Sequence, residues 1–270
     1  MTITLVTGAT QGLGLALAQG LAQRLEPTDT VYLTGRDLSK ITAAVQAVPG
    51  GGAQVRGELL DVAAPNAAAD LAKQIEERHG GIDIVFGNAV MRIGPDDNPR
   101  EIIDDYTEVN NFGTTRLLKA FAPLLNDNGR LLVVASSLGT LHHLAPILHK
   151  RFTEPSSLDE LDEQIANWRD AVKEGRTSAW PAFVNIPSKI GQVAAVRILA
   201  SQHDYLARGI LVAAVCPGMI NTPTSALWWD VSTAPTPAQA AEALLDLALK
   251  PVKPQHYGEL VRFGEVVPFS

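Results

Sequence analysis

Cysteine is nearly absent from this chain: Cys216 stands alone among 270 residues, so no internal disulfide can form. It ends the apolar run Ile210 to Val215 and therefore reads as a small core residue without chemistry of its own. Aromatic residues make up only 6% of the chain, and the four tyrosines, Tyr32, Tyr106, Tyr205 and Tyr257, leave residues 107–204 without one. No run of basic residues occurs. With a formal net charge of −7 and a pI near 5.4, this argues against a nucleic-acid partner or a membrane surface. Metal-ligand spacing is missing too. The N-terminus enters an apolar strand at Ile3 with no charged or apolar leader, so a cytoplasmic protein acting on small molecules is expected.

What is present is a regular alternation. Hydrophobic residues make up 46% of the chain, enough for one large core, and residues 1–270 read as a single α/β domain. Residues 53–58, 82–86, 130–135, 210–216 and 259–263 read as strands separated by helical patterns. Such alternation predicts a doubly wound parallel sheet of the Rossmann type, with helices on both faces. No internal repeat or low-complexity tract interrupts it.

The chemistry begins at residue 3. Ile3-Thr4-Leu5-Val6 runs into Thr7-Gly8-Ala9-Thr10-Gln11-Gly12-Leu13-Gly14 and then into a helix whose Leu13, Leu17 and Leu21 recur every fourth residue. Strand, glycine turn and helix start together suit a dinucleotide, because glycines admit its pyrophosphate close to the backbone and the helix N-terminus attracts the charge. A glycine-rich turn without a ligand is the alternative for the triplet alone. A second strand, Thr30 to Thr34, then ends in Gly35-Arg36-Asp37, where such a unit chooses its cofactor. No acid closes that strand for a ribose 2′-hydroxyl. Arg36 and Lys40 instead offer cations for a 2′-phosphate, which predicts NADPH over NADH unless both are solvated helix-start charges.

One stretch breaks the alternation. Residues 142–182 read as a helical insertion, in which Ser157 and Glu160 predict a capping box ahead of Leu158, Leu161, Ile165, Trp168 and Val172. The other face of this helix, Asp159, Glu160, Asp162, Glu163 and Asp170, reads as solvated. Inserted after a strand end of an open sheet, the segment is expected to border the ligand crevice.

Taken together, these residues resemble the short-chain dehydrogenases/reductases, and among them the carbonyl reductases, over nearly the whole chain. The turn at 7–14 is similar to the family's TGxxxGxG, which makes Gly8, Thr10, Gln11, Gly12, Leu13 and Gly14 cofactor-binding by resemblance. Leu60-Asp61-Val62 looks like the adenine-binding segment, and Asn88 in Gly87-Asn88-Ala89-Val90 matches the family's NNAG at its middle letters. Asn110-Asn111-Phe112-Gly113-Thr114 is similar to NxxGT, with Asn110 as the structural and proton-relay asparagine. Ser136-Ser137 resembles the serine pair whose second member, Ser137, meets the substrate carbonyl. Cys216-Pro217-Gly218-Met219-Ile220-Asn221-Thr222 resembles the PGxxxT loop, with Pro217, Gly218 and Thr222 at the nicotinamide. The 48 positions from Ser137 to Asn185 match the extended spacing of the carbonyl reductases, whose added segment covers a surface used elsewhere for oligomerisation. A monomer is the expectation.

The resemblance fails at one decisive place. Four residues before Lys189, where the family carries its tyrosine, this chain has Asn185, and no other tyrosine lies between Ser137 and Lys189. In the family the phenol protonates the carbonyl oxygen, while the lysine lowers its pKa and holds the nicotinamide ribose. An amide has no proton to release at neutral pH. Losing a general acid costs about 10²–10⁴-fold, so simple ketones are expected to be poor substrates. Ser137, Asn185, Lys189 and Asn110 remain the candidate catalytic set. Three functions stay open: reduction of a C=O or C=N group that needs little acid help, binding of NADP(H) without redox chemistry, and a non-redox reaction in the same pocket. A replacement acid would come from His142 or His143, or from a distant phenol, Tyr106 or Tyr257. Trp180, Phe183, Leu227, Trp228 and Trp229 suggest a bulky apolar or aromatic substrate, or else simple packing of a loop.

Overall fold

Alternation along the strands decides the layering. In the computed structural model, which describes all 270 residues, Leu131 and Val133 of the fifth strand enter one core while Leu132 and Val134 enter another. Val212, Ala214 and Cys216 divide in the same way from Leu211, Ala213 and Val215. Side chains that alternate between two apolar layers require helices on both faces of the sheet.

The strands are β1 (Ile3–Val6), β2 (Thr30–Gly35), β3 (Gln54–Leu59), β4 (Ile82–Gly87), β5 (Leu125–Val134), β6 (Leu211–Cys216), β7 (Leu260–Arg262) and β8 (Glu265–Val267). They form one sheet in the order β3-β2-β1-β4-β5-β6-β7-β8, parallel from β3 through β7. The edge strand β8 pairs antiparallel with β7, a hairpin too short to show period-2 patterning in the sequence. The helices are α1 (Gly12–Arg24), α2 (Leu38–Gln46), α3 (Ala67–His79), α4 (Pro99–Thr107), α5 (Gly113–Phe121), α6 (Lys150–Thr153), α7 (Leu158–Lys173), α8 (Asn185–Gln202) and α9 (Pro237–Leu249). Residues of α1, α2 and α9 fill one core; α3, α5, α7 and α8 contribute to the other.

Chain order reverses between β1 and β4, which lie side by side. In a sheet of this kind the crevice for a ligand opens at the carboxyl ends of the strands flanking that reversal. The 7–14 turn, Asn88, Ser137 and the 217–222 loop follow β1, β4, β5 and β6 directly, so all four reach that edge.

The insertion departs from its sequence reading in two details. Ser157 caps α7 by accepting the Glu160 N–H at 3.1 Å, but the Glu160 carboxylate accepts from the Ser156 N–H at 2.6 Å, so the box is not reciprocal. Nor is the acidic face uniformly solvated. Asp162 accepts from the Thr115 hydroxyl (2.9 Å) and, with Asp159, pairs with Lys119, which ties α7 down onto α5. Burial holds the Asp162 carboxyl above its usual range despite these bonds.

Candidate active site

The glycine turn is shaped by backbone contact. Gly8 (φ 61°) and Gly12 (φ 56°) both occupy the left-handed region that favours glycine. A Cβ on Gly8 would sit 2.8 Å from Ala89 Cα, and one on Gly14 would sit 2.5 Å from Gly8 O. Asn88 sustains this approach: its Nδ2 donates to Thr7 O (2.9 Å) and Gly8 O (3.2 Å), and its own N–H donates to Thr7 Oγ1 (2.8 Å). The first N–H of α1 engaged in the helix ladder is that of Leu15, bonded to Gln11 O, which leaves those of Gly12, Leu13 and Gly14 for an anion. Thr10 touches the end of β2, where its methyl would lie 2.6 Å from a Cβ on Gly35. Beyond it Asp37 caps α2 by accepting from the Ser39 and Lys40 N–H groups, while Arg36 and Lys40 are exposed and take part in no ion pair. Asp61 is exposed and binds the Ala63 N–H; Val62 is buried against Gly113. Glycines without room for a side chain, free helix-start N–H groups and unpaired cations at the β2 end fit a phosphorylated dinucleotide.

Around Lys189 the polar residues of α8 fall on one stripe. Asn185, Ser188, Lys189 and Gln192 follow helical spacing within the otherwise apolar first half of the helix, which begins at Asn185 and tolerates Pro187 in its first turn. Lys189 Nζ donates to Gln192 Oε1 (2.7 Å) and Val134 O (3.3 Å), and burial brings its pKa down to about 8. Gln192 Nε2 in turn donates to Asn110 O at 2.8 Å. Asn110 lies on a π-helical turn, Glu108–Phe112, between α4 and α5. Its amide is bonded in both directions to Met91, accepting at 2.7 Å and donating at 3.0 Å. Single π turns of this kind recur at functional sites.

The phenol absent from position 185 reaches the site from another element. Tyr106, on α4 and only 1% exposed, donates through its hydroxyl to Asn185 Oδ1 at 2.9 Å. Burial holds this phenol well above its ordinary pKa, and the Asn110 and Ser188 side chains beside it offset little of that. Tyr257 donates instead to Ala200 O and His203 O, far along α8. His142 and His143 are exposed and meet edge to face with ring centroids 5.6 Å apart; no hydrogen bond joins either to Ser137, Asn185 or Lys189. Ser136 is spent in a local turn, binding the Leu138 N–H with its hydroxyl and the Gly139 N–H with its carbonyl, whereas the Ser137 hydroxyl has no protein partner.

The aromatic residues separate into two groups. Trp180 turns into the insertion, packing on Trp168 and Phe152 beneath Arg151, and so does not join the cleft group. Phe183 and Trp228 pack together at 5.1 Å, Trp228 Nε1 donates to Ile93 O (3.0 Å), and Trp229 and Leu227 remain exposed. Past Pro217 and Gly218 (φ 78°), Thr222 accepts the Ser225 N–H and fixes the turn that carries these residues. Ser188 and Gln192 were missed as site residues, and Tyr106 was named only as a distant candidate acid. Tyr106 lies one turn before Asn110, and the other two complete the polar stripe of a buried helix, a signal that apolar periodicity does not register.

No group of His, Cys, Asp and Glu is arranged to hold a metal ion, and no helix is long and apolar enough to cross a membrane. Among known proteins, the short chain dehydrogenase family description matches residues 2–145. Carbonyl reductase [NADPH] 1 of Mus musculus is 30% identical over 99% of this chain and 98% of its own length, and carbonyl reductase [NADPH] 3 of Homo sapiens is 30% identical over 96% and 95%. Among solved structures, menthone neomenthol reductase from Mentha piperita superposes with a TM-score of 0.79 at 25% identity, covering 98% of this chain and 99% of that one. Salutaridine reductase from Papaver somniferum gives 0.79 at 23%, covering 96% and 99%, a likeness of fold. Sheet order, glycine turn and full-length similarity agree: the chain belongs to the short-chain dehydrogenase family.

Proposed function

We propose that this protein is an NADPH-dependent reductase of activated carbonyl groups in bulky apolar or aromatic molecules, working without a side-chain general acid. The observation that carries this reading is the hydrogen bond from Tyr106 to Asn185 Oδ1. With its oxygen engaged, the Asn185 amide offers only N–H₂ to a substrate, and Ser137 offers a free hydroxyl. Both groups donate. They suit an acceptor atom with a lone pair, which favours a carbonyl oxygen over a cationic iminium.

The cofactor is supported by the unpaired Arg36 and Lys40 at the end of β2 and by the relatives, which are named for NADPH. Gly8, Thr10, Gln11, Gly12, Leu13 and Gly14 would hold its phosphates, Asp61 and Val62 its adenine, Lys189 its nicotinamide ribose, and Pro217, Gly218 and Thr222 the far end. Asn88 serves by holding the turn. When bound, NADPH supplies hydride. The chain's own part is to orient the acceptor oxygen between Ser137 and Asn185 and to stabilise the charge that develops there, which preorganised donors do without proton transfer. The proton then comes from water. A quinone or α-dicarbonyl, whose reduced oxygen is a weak base, tolerates that order; a simple ketone does not.

The test follows NADPH oxidation with quinones, α-dicarbonyls, simple ketones and cyclic imines, using the native protein, Asn185→Tyr and Tyr106→Phe. The native protein should turn over the activated carbonyls alone. Asn185→Tyr should gain ketone turnover by about 10²-fold or more, and Tyr106→Phe should lose activity on the activated carbonyls. Tight NADPH binding with no turnover in any of the three proteins would overturn the reading in favour of a non-redox role.

A further inference from the structure

Arg92 is the one cation at the glycine turn that the family motifs leave without a role. It follows β4 in the loop 88–94, and its Nη2 would lie 3.5 Å from a Cβ on Gly12, at the N-terminus of α1. Its Nη1 donates to Thr224 Oγ1 at 2.5 Å, so one guanidinium spans from the glycine turn to the loop after β6. None of the ion pairs in the protein includes Arg92, although fourteen others form across the surface. A cation beside the positive end of a thirteen-residue helix is unfavourably placed. Only an anion lying between the guanidinium and the free N–H groups of Gly12, Leu13 and Gly14 reverses the sign of that interaction, and a guanidinium fork fits phosphate oxygens.

We infer that Arg92 binds the pyrophosphate of the dinucleotide directly, closing over it from the side opposite α1 while Thr224 holds the guanidinium in place. The inference rests on dinucleotide binding but not on the chemistry at Asn185. Arg36 and Arg92 then divide the cofactor, the first at the 2′-phosphate and the second at the bridge between the two nucleotides.

Dissociation constants measured by fluorescence titration or calorimetry separate these roles without any turnover. Arg92→Met should weaken NADPH and NADH alike, by about 10- to 100-fold, and leave 2′-AMP, which has no pyrophosphate, unchanged. Arg36→Ala should weaken NADPH and 2′-AMP but not NADH. Thr224→Val, which removes the tether and keeps the charge, should cost far less than Arg92→Met. Equal losses in Arg92→Met and Thr224→Val would make Arg92 a loop tie and overturn the assignment, as would a loss of 2′-AMP affinity in Arg92→Met. NADPH affinity unaltered in Arg92→Met would overturn this assignment alone, whereas failure of the native protein to bind any dinucleotide would overturn the cofactor reading and this one with it.

Discussion

Lys189 carries its positive charge in a place that opposes it. Its ammonium has two neutral acceptors and no carboxylate, and burial lowers its pKa from the ordinary 10.5 to about 8. A folded-state value below the unfolded one means that the charged form is penalised at neutral pH. Between about pH 8 and 10.5 the unfolded chain retains a proton that the folded chain has released, so stability gained from Lys189 rises with pH across that window. The span corresponds to about 3 kcal/mol. Denaturant titrations should therefore find Lys189→Met more stable than the native protein at pH 7, with the margin shrinking as pH approaches 10.5. A margin independent of pH would show that the ammonium is not penalised. Such a cost persists in a fold when the charge has work to do, which the proposed contact with the nicotinamide ribose would give it.

At the level of elements, the site is a set of strand ends braced by helix starts. The turn between β1 and α1 is the least tolerant of them, because Gly8 combines a positive φ with 2.8 Å of clearance to Ala89 Cα. Gly8→Ala should lose about 1–2 kcal/mol to the left-handed backbone alone, and further stability to displacement of Ala89. NADPH affinity should drop by more than tenfold, as read by thermal melting and fluorescence titration. Native affinity in this variant would separate the turn from the cofactor. Helices α4, the π turn and α8 act as a second unit: Tyr106, Asn110, Asn185, Lys189 and Gln192 are joined across them by the bonds Tyr106–Asn185, Gln192–Asn110 and Lys189–Gln192. Replacing a phenol by an amide at 185 thus coincides with a different phenol that supports the amide.

For the whole molecule, the insertion is the element that bears on assembly. Helix α7 buries Leu158, Leu161, Ile165 and Trp168 in the same core as α8 and is fastened to α5 through Asp159 and Asp162. Its apolar stripe is spent inside the chain, and what it turns outward is acidic, an arrangement that disfavours self-association. Light scattering coupled to gel filtration should return a mass close to the chain's 28.8 kDa at micromolar concentration. A dimer mass would require another face to associate.

Local order carried much of this protein in its sequence. Short apolar runs marked most of the parallel strands and period-3.6 patterning the major helices, because a strand between two helical layers buries both faces whereas a helix buries one. Glycines marked the turn between β1 and α1, since positive φ and backbone contact restrict the residue type at the position itself. The loss of tyrosine at 185 was likewise visible from spacing to Lys189. The antiparallel edge strand β8 was too short to leave a pattern, and the boundaries of β5 extended back to Leu125 through residues with no strand preference. What tertiary structure alone decided were the pairings between distant residues: Tyr106 with Asn185 across 79 positions, Gln192 with Asn110 across 82, and Arg92 with Thr224 across 132. A hydrogen bond between side chains depends on where the packed elements bring them, and no periodicity along the chain encodes that distance.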